Sequence, residues 1–169
     1  MKIFRLFFMT IAVIGLTACS SDDDNNAVEL TNTNLAGTYD VVFLEGSEVE
    51  TDDSSGVVVR TIEVTGDTFT DAIFIFNADG TYSASGDYRV NFTITTTNVG
   101  TVMESEIDSF DETGNYSTNN ANSTITLDGE VGDVTLFDGT NLYVTFEETD
   151  SFGGNTTVSN SEIRLVKRN

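Results

Sequence analysis

Tyr88-Arg89-Val90-Asn91-Phe92-Thr93-Ile94-Thr95 is the stretch that decides the fold. Apolar side chains occupy every second position. That two-residue period belongs to a strand with one buried and one wet face. Tyr39, Val41 and Phe43 alternate in the same way, as do Leu142, Val144 and Phe146, and Ile163 and Leu165. From Leu35 onward Thr, Val, Ile, Phe and Tyr dominate, while Lys, Leu and Ala are too sparse to sustain helices. Turn signals separate the runs: Glu45-Gly46, Thr65-Gly66-Asp67, Asn77-Ala78-Asp79-Gly80, Ser85-Gly86-Asp87, Thr113-Gly114-Asn115, Leu127-Asp128-Gly129, Asp138-Gly139 and Gly153-Gly154. Asp-Gly and related pairs supply the positive φ at which a hairpin reverses. This spacing predicts an all-β chain, an antiparallel meander of about eight to ten short strands. The expected strands lie at 37–44, 56–65, 68–76, 80–85, 87–97, 100–110, 122–127, 131–137, 141–148 and 158–167. So many edges are best hidden by closure into a barrel or a sandwich.

Four of the five tyrosines follow a glycine by two positions: Gly37-Thr38-Tyr39, Gly80-Thr81-Tyr82, Gly86-Asp87-Tyr88 and Gly114-Asn115-Tyr116. Glycine makes the turn, and a ring fills the first inward position of the strand that follows. Such rings either cap the ends of a core or line a mouth. The first role is the expected one.

The charge excludes several functions. Seven basic residues against 28 acidic give a formal net charge of −21 over 169 residues. That repels nucleic-acid phosphates, so no nucleic-acid partner is expected. The chain has no His, no Pro, no Trp and one Cys. Without His it lacks the usual general base and the commonest metal ligand. Only carboxylate, hydroxyl or lysine chemistry is left, and a non-enzymatic protein without cofactor or metal is expected.

The N-terminus reads Met1-Lys2-Ile3-Phe4-Arg5, an apolar run from Leu6 to Leu16, then Thr17-Ala18-Cys19. The apolar run is too short for a helical membrane span, which needs about 20 residues. Cationic start, apolar run and Leu16-Thr17-Ala18-Cys19 together resemble the signal peptide and lipobox of bacterial lipoproteins. The resemblance implies a leader over 1–18, removed before Cys19, and a lipidated Cys19 that anchors the protein to a membrane. Asp22, Asp23 and Asp24 follow in a run that cannot bury itself, so 19–34 is expected to be an acidic, disordered tether. Those aspartates resemble the export signal of Bacteroidota surface lipoproteins. The implied location is the outer membrane, exposed at the cell surface, with a periplasm-facing orientation as the alternative.

The remaining domain, 35–169, carries a second resemblance. Leu35-Ala36-Gly37-Thr38-Tyr39-Asp40-Val41-Val42 looks like the opening strand of lipocalin-like domains. Phe74-Ile75-Phe76-Asn77-Ala78-Asp79-Gly80-Thr81-Tyr82 is similar to their mid-domain hairpin. Gly114-Asn115-Tyr116 with Thr124-Ile125-Thr126-Leu127, and Asn141-Leu142-Tyr143-Val144-Thr145-Phe146, resemble two later elements. Tyr39 stands where true lipocalins carry tryptophan. The resemblance implies a lipocalin-like barrel that binds a small apolar or glycan ligand. Tyr39, Phe76, Tyr88, Phe92 and Phe146 are its candidate lining residues. The alternative is a filled barrel whose outside contacts another envelope protein.

Other groups are weaker. Asp52-Asp53-Ser54-Ser55-Gly56 and Glu147-Glu148-Thr149-Asp150 offer oxygen ligands without the spacing of a calcium loop. Glu104, Glu106 and Asp108 share one strand face, a geometry open to glycoside hydrolysis but more simply the wet face. Asp67-Thr68-Phe69, Asp108-Ser109-Phe110 and Asp150-Ser151-Phe152 loosely resemble O-glycosylation sites of exported Bacteroidota proteins. Ile163-Arg164-Leu165-Val166-Lys167-Arg168 reads as a last strand whose cations pair with the acidic surface.

Overall fold

A computed structural model describes residues 28–168. The leader, Cys19 and Asp22 to Asp24 lie outside the described residues. Eight antiparallel strands follow in chain order: β1 (Gly37–Asp52), β2 (Val57–Phe76), β3 (Thr81–Thr96), β4 (Gly100–Asn119), β5 (Thr124–Leu127), β6 (Glu130–Phe137), β7 (Asn141–Phe152) and β8 (Asn155–Lys167). Each pairs with its sequence neighbour, and β8 pairs back to β1, so the sheet closes. An eight-stranded up-and-down barrel is the lipocalin-like architecture.

The strands are longer and fewer than ten because several glycine signals do not turn the chain. Glu45-Gly46 lies within β1, and Thr113-Gly114-Asn115 within β4. Thr65-Gly66-Asp67 and Ser85-Gly86-Asp87 lie within β2 and β3, beside register shifts between Asp67 and Ile73. There Thr68 and Asp71 take φ of 54° and 49°, and the chain bulges and bends rather than reversing. Gly86 faces this bulge at φ 106°. A Cβ on Gly86 would strike the Asp71 backbone. Gly86→Ala is therefore expected to cost about 1–3 kcal/mol, read as a lower urea midpoint.

The fold also begins before Leu35. Thr31 caps a single helical turn, α1 (Asn32–Leu35), by accepting the Asn34 amide at 3.2 Å. Leu30 and Leu35 are buried. Residues 30–35 thus belong with the barrel, because Leu30 and Leu35 give this segment apolar surface to bury. The Leu30 amide donates to Asn120 Oδ1 at 2.8 Å, and Tyr116 Oη donates to Asn32 O at 3.1 Å. These contacts seal α1 across one end of the barrel.

The core sits at that sealed end. Tyr39, Val41, Phe74, Phe76, Tyr82, Tyr116, Ile125, Leu142, Val144 and Leu165 pack around Leu35. All four glycine-preceded tyrosines are buried. Their hydroxyls leave the core toward acceptors: Tyr39 to Leu35 O at 2.9 Å, Tyr82 to Asp128, Tyr88 to Asp108, and Tyr116 to Asn77 O at 2.7 Å. Each ring is buried while its hydroxyl finds an acceptor. Burial raises the Tyr39 phenol to about 12.

Candidate functional site

Closure of the ring is confined to the sealed half. β5 has four residues and pairs only with Tyr116–Asn119 of β4. β6 reaches up β7 only as far as Thr145. Beyond this short hairpin, β4 from Gly100 to Asn115 pairs with β3 alone, and β7 from Phe146 to Phe152 with β8 alone. The other half is thus a coiled sheet of six strands with two edges, open between β4 and β7.

Inward positions of the open half follow from the registers, because residues paired across a ladder share a face. Tyr82, Ala84, Tyr88 and Val90 are buried inward on β3, which places Phe92 and Ile94 inward as well. Opposite Gly86, Tyr88, Val90, Phe92 and Ile94 stand Phe110, Asp108, Glu106, Glu104 and Val102 of β4. Phe146, Glu148 and Asp150 face inward from β7, opposite Ser161, Ser159 and Thr157 of β8. Glu104, Glu106 and Asp108 thus share one face, as expected. It is the concave face of the barrel, and it stays wet because no strand covers β4. The outward partners Met103 and Ile107 are 79% and 69% exposed.

An aromatic column joins the two halves. Ring centroids lie 5.0 Å apart for Phe76 and Tyr116, 5.5 Å for Phe74 and Phe110, and 4.6 Å for Tyr88 and Phe110. Phe69 stacks on Tyr88 at 6.2 Å. Phe92 and Phe146 are half-buried at the open end. Gly132 on β6 makes room for Phe146, whose ring would lie 2.6 Å from a Cβ there. Of the five candidate lining residues, Tyr88, Phe92 and Phe146 fall in the open half. Tyr39 and Phe76 are 0% and 2% exposed in the sealed core, where they fill the barrel. Phe69 and Phe110 escaped sequence reading. Each follows an Asp-hydroxyl pair in a segment whose register the bulge or the edge obscures.

The carboxylates set the electrostatics. Glu112, Glu130 and Glu148 are each raised above 4.5, first by burial and then by a neighbouring carboxylate: Asp128 for Glu112, Glu148 for Glu130 and Asp150 for Glu148. Outside, the Arg89 guanidinium, with Thr68 and Asn91, holds Asp67 down at about 2. Hydrogen bonds within their own turns lower Asp52, Asp79 and Asp138 below 3.8. Asp52 Oδ1 takes the amides of Ser54 and Ser55 and both their hydroxyls, so the turn itself uses that oxygen. Raised glutamates bind protons more tightly when folded, so their cost grows as pH climbs from 4.5 through the raised values. Lowered aspartates contribute stability above 3.8, lost as pH falls through their lowered values. The melting temperature is therefore expected to be higher near about pH 5 than near about pH 7.5, and to drop in stronger acid. A thermal melt series across pH reads both arms.

The cations behave largely as expected. Arg164 pairs with Glu162 at 2.7 Å and lies over the Phe43 ring, and Arg168 pairs with Asp40 at 2.6 Å. Lys167 instead sits over Tyr39 at 5.5 Å. Such exposed ion pairs contribute about 0.2–1 kcal/mol each. Thr68, Ser109 and Ser151 of the three Asp-hydroxyl-Phe motifs are all exposed. Two depressions of about 300 and 420 Å³ are both open to solvent. The first includes Phe146 and Ser161, and the second lies along Tyr116 and Asp128.

The chain matches no protein-family profile and no curated protein. An S-type phycobiliprotein lyase from Guillardia theta is similar at a TM-score of 0.29, with 8% identity over 82% of this chain and 90% of that chain. The class defined by the ladders themselves is a lipocalin-like, eight-stranded antiparallel barrel, filled at one end and open at the other.

Proposed function

We propose that this chain is a lipid-anchored envelope lipoprotein whose open barrel half binds a glycan without catalysis. One observation carries the binding reading. The aromatic column ends in Phe110 and Tyr88, and the half-buried rings of Phe92 on β3 and Phe146 on β7 face inward beyond it beside inward carboxylates, in a trough rather than a closed cavity. Sugar rings present apolar C–H faces that stack on such rings, and hydroxyls that donate to carboxylates. Ionised carboxylates only accept hydrogen bonds. An acyl chain would desolvate the same carboxylates without pairing them. The trough therefore favours the glycan over the purely apolar ligand, and neutral or amino sugars over acidic ones.

The test is an oligosaccharide array carrying neutral, amino and acidic sugars. Binding is expected among the first two groups and absent from the third. Phe92→Ala with Phe146→Ala should weaken it by about tenfold or more, a loss of about 1.4 kcal/mol or more. Equal capture of acidic sugars, or binding indifferent to both phenylalanines, would overturn the reading. The second reading, a filled barrel that contacts an envelope protein, draws on the packed sealed half and on exposed Met103, Ile107 and Phe152.

A further inference from the structure

β4 carries a long unpartnered edge. Its ladder with β3 runs without a shift from Thr81↔Asn115 to Thr96↔Gly100. Two backbone contacts fix which groups face away from β3. The Tyr116 amide donates toward β3, to Gly80 O at 2.7 Å, whereas Asn115 O accepts from the Asp128 amide at 2.9 Å on the other side. Alternation carries this up the strand. The N–H and C=O groups of Thr101, Met103, Ser105, Ile107 and Ser109 point to the free edge. The Ser109 amide agrees, since it turns to the Asp108 carboxylate at 2.8 Å instead of a neighbouring strand.

The side chains along this edge alternate in chemistry. Glu104, Glu106 and Asp108 face inward, while Met103, Ser105 and Ile107 face outward. An ordinary edge would hide its apolar residues inside and leave its charges out. This one reverses the pattern, and local rules are broken most often where function requires it.

We propose that the β4 edge, from Thr101 to Ser109, docks an extended cationic segment of a partner protein by strand addition. Main-chain hydrogen bonds supply the attachment, and alternate side chains supply selectivity. Opposite Glu104, Glu106 and Asp108 the partner places Lys or Arg at every second position. Opposite Met103, Ser105 and Ile107 it places apolar or hydroxyl-bearing residues. The inward carboxylates also reject an acidic strand, which makes them the selective element as well as the attractive one. A second copy of this chain is rejected for the same reason, since two such edges would set glutamate against glutamate. The described chain begins at Val28 beside Gly139, in the β6–β7 turn at the sealed end. The open half and its edge thus lie at the end of the barrel away from Val28.

This interaction draws on the same inward carboxylates as the glycan reading, and its test separates the two. A fluorescent decapeptide alternating lysine and valine is titrated into the full chain and followed by anisotropy. A peptide of the same composition with its lysines clustered, and one with glutamate for lysine, serve as comparisons. The alternating peptide is expected to bind at least about tenfold more tightly than either. Ser105→Pro removes an edge N–H without removing a β3 ladder bond, and edge strands tolerate proline. It should abolish this preference while leaving the melting temperature and glycan capture in place. Glu104→Gln with Glu106→Gln, which keeps the backbone intact, should erase the preference for lysine over glutamate. Equal binding of the clustered peptide, binding that survives Ser105→Pro, or self-association of the chain through β4 would each overturn the proposal.

Discussion

Replacing Phe76 with alanine is expected to cost the barrel about 4 kcal/mol, within the usual 3–5 for a buried phenylalanine. Phe76 stands where the column is densest. Its ring meets Tyr39 at 5.7 Å, Tyr116 at 5.0 Å, Phe74 at 6.0 Å and Tyr82 at 6.4 Å. Alanine forfeits those edge and stacked contacts and opens a void. Leu35, on the short helical turn, has little freedom to move into that void, because Thr31, Asn32 and the Tyr116 hydroxyl hold the turn in place. Phe92→Ala makes the contrast. Phe92 is half-buried in the open half, so its loss should cost far less stability while removing part of the trough. Paired urea melts check this. Similar losses at both positions would mean that the two halves share one core.

The second large effect concerns attachment. With Cys19 replaced by alanine, the protein made in its native host is expected to lack the lipid mass and to keep its leader. A single acyl chain holds a protein only marginally, whereas two or more hold it stably. On the proposed lipidation, the sole thiol would decide between a permanent anchor and none. Intact-mass measurement reads the outcome, and a Cys19→Ala protein that is still processed or still carries the lipid mass would contradict it.

Much of the barrel was legible in the residues, for definite reasons. Alternation in 88–95 and 141–146 marks strands because their inner faces are buried, and the pattern survives in any closed sheet. Asn77-Ala78-Asp79-Gly80 and Asp138-Gly139 read correctly as turns, each tightened by its own aspartate. Gly66, Gly86 and Gly114 misled because a glycine that bends a strand looks the same in sequence as one that reverses it. Gly86 is needed for contact with the bulge at Asp71, and Gly114 for the Asp128 carboxylate, which a Cβ there would strike. Both are long-range needs that no local signal carries.

The site was less legible. Tyr39 and Phe76 alternate inward just as Phe92 and Phe146 do, so the pattern cannot tell a filled half from an open one. The distinction depends on β5 having only four residues, which leaves β4 uncovered. On β4 itself, the alternation of Met103 and Ile107 with Glu104, Glu106 and Asp108 showed that the carboxylates share one wet face, but only the register with β3 shows that this face lies inside the barrel.

The division of one barrel into a filled end and a binding end is tested most directly by amide hydrogen exchange of the full chain, with and without a neutral or amino-sugar oligosaccharide selected on the array. The account predicts strong protection of β1, β3 and β8 around Tyr39, Tyr82 and Leu165 in both states, with new protection on adding sugar confined to the open half around Phe92 and Phe146. Uniform protection without sugar, or new protection around Tyr39 and Phe76 instead, would contradict it.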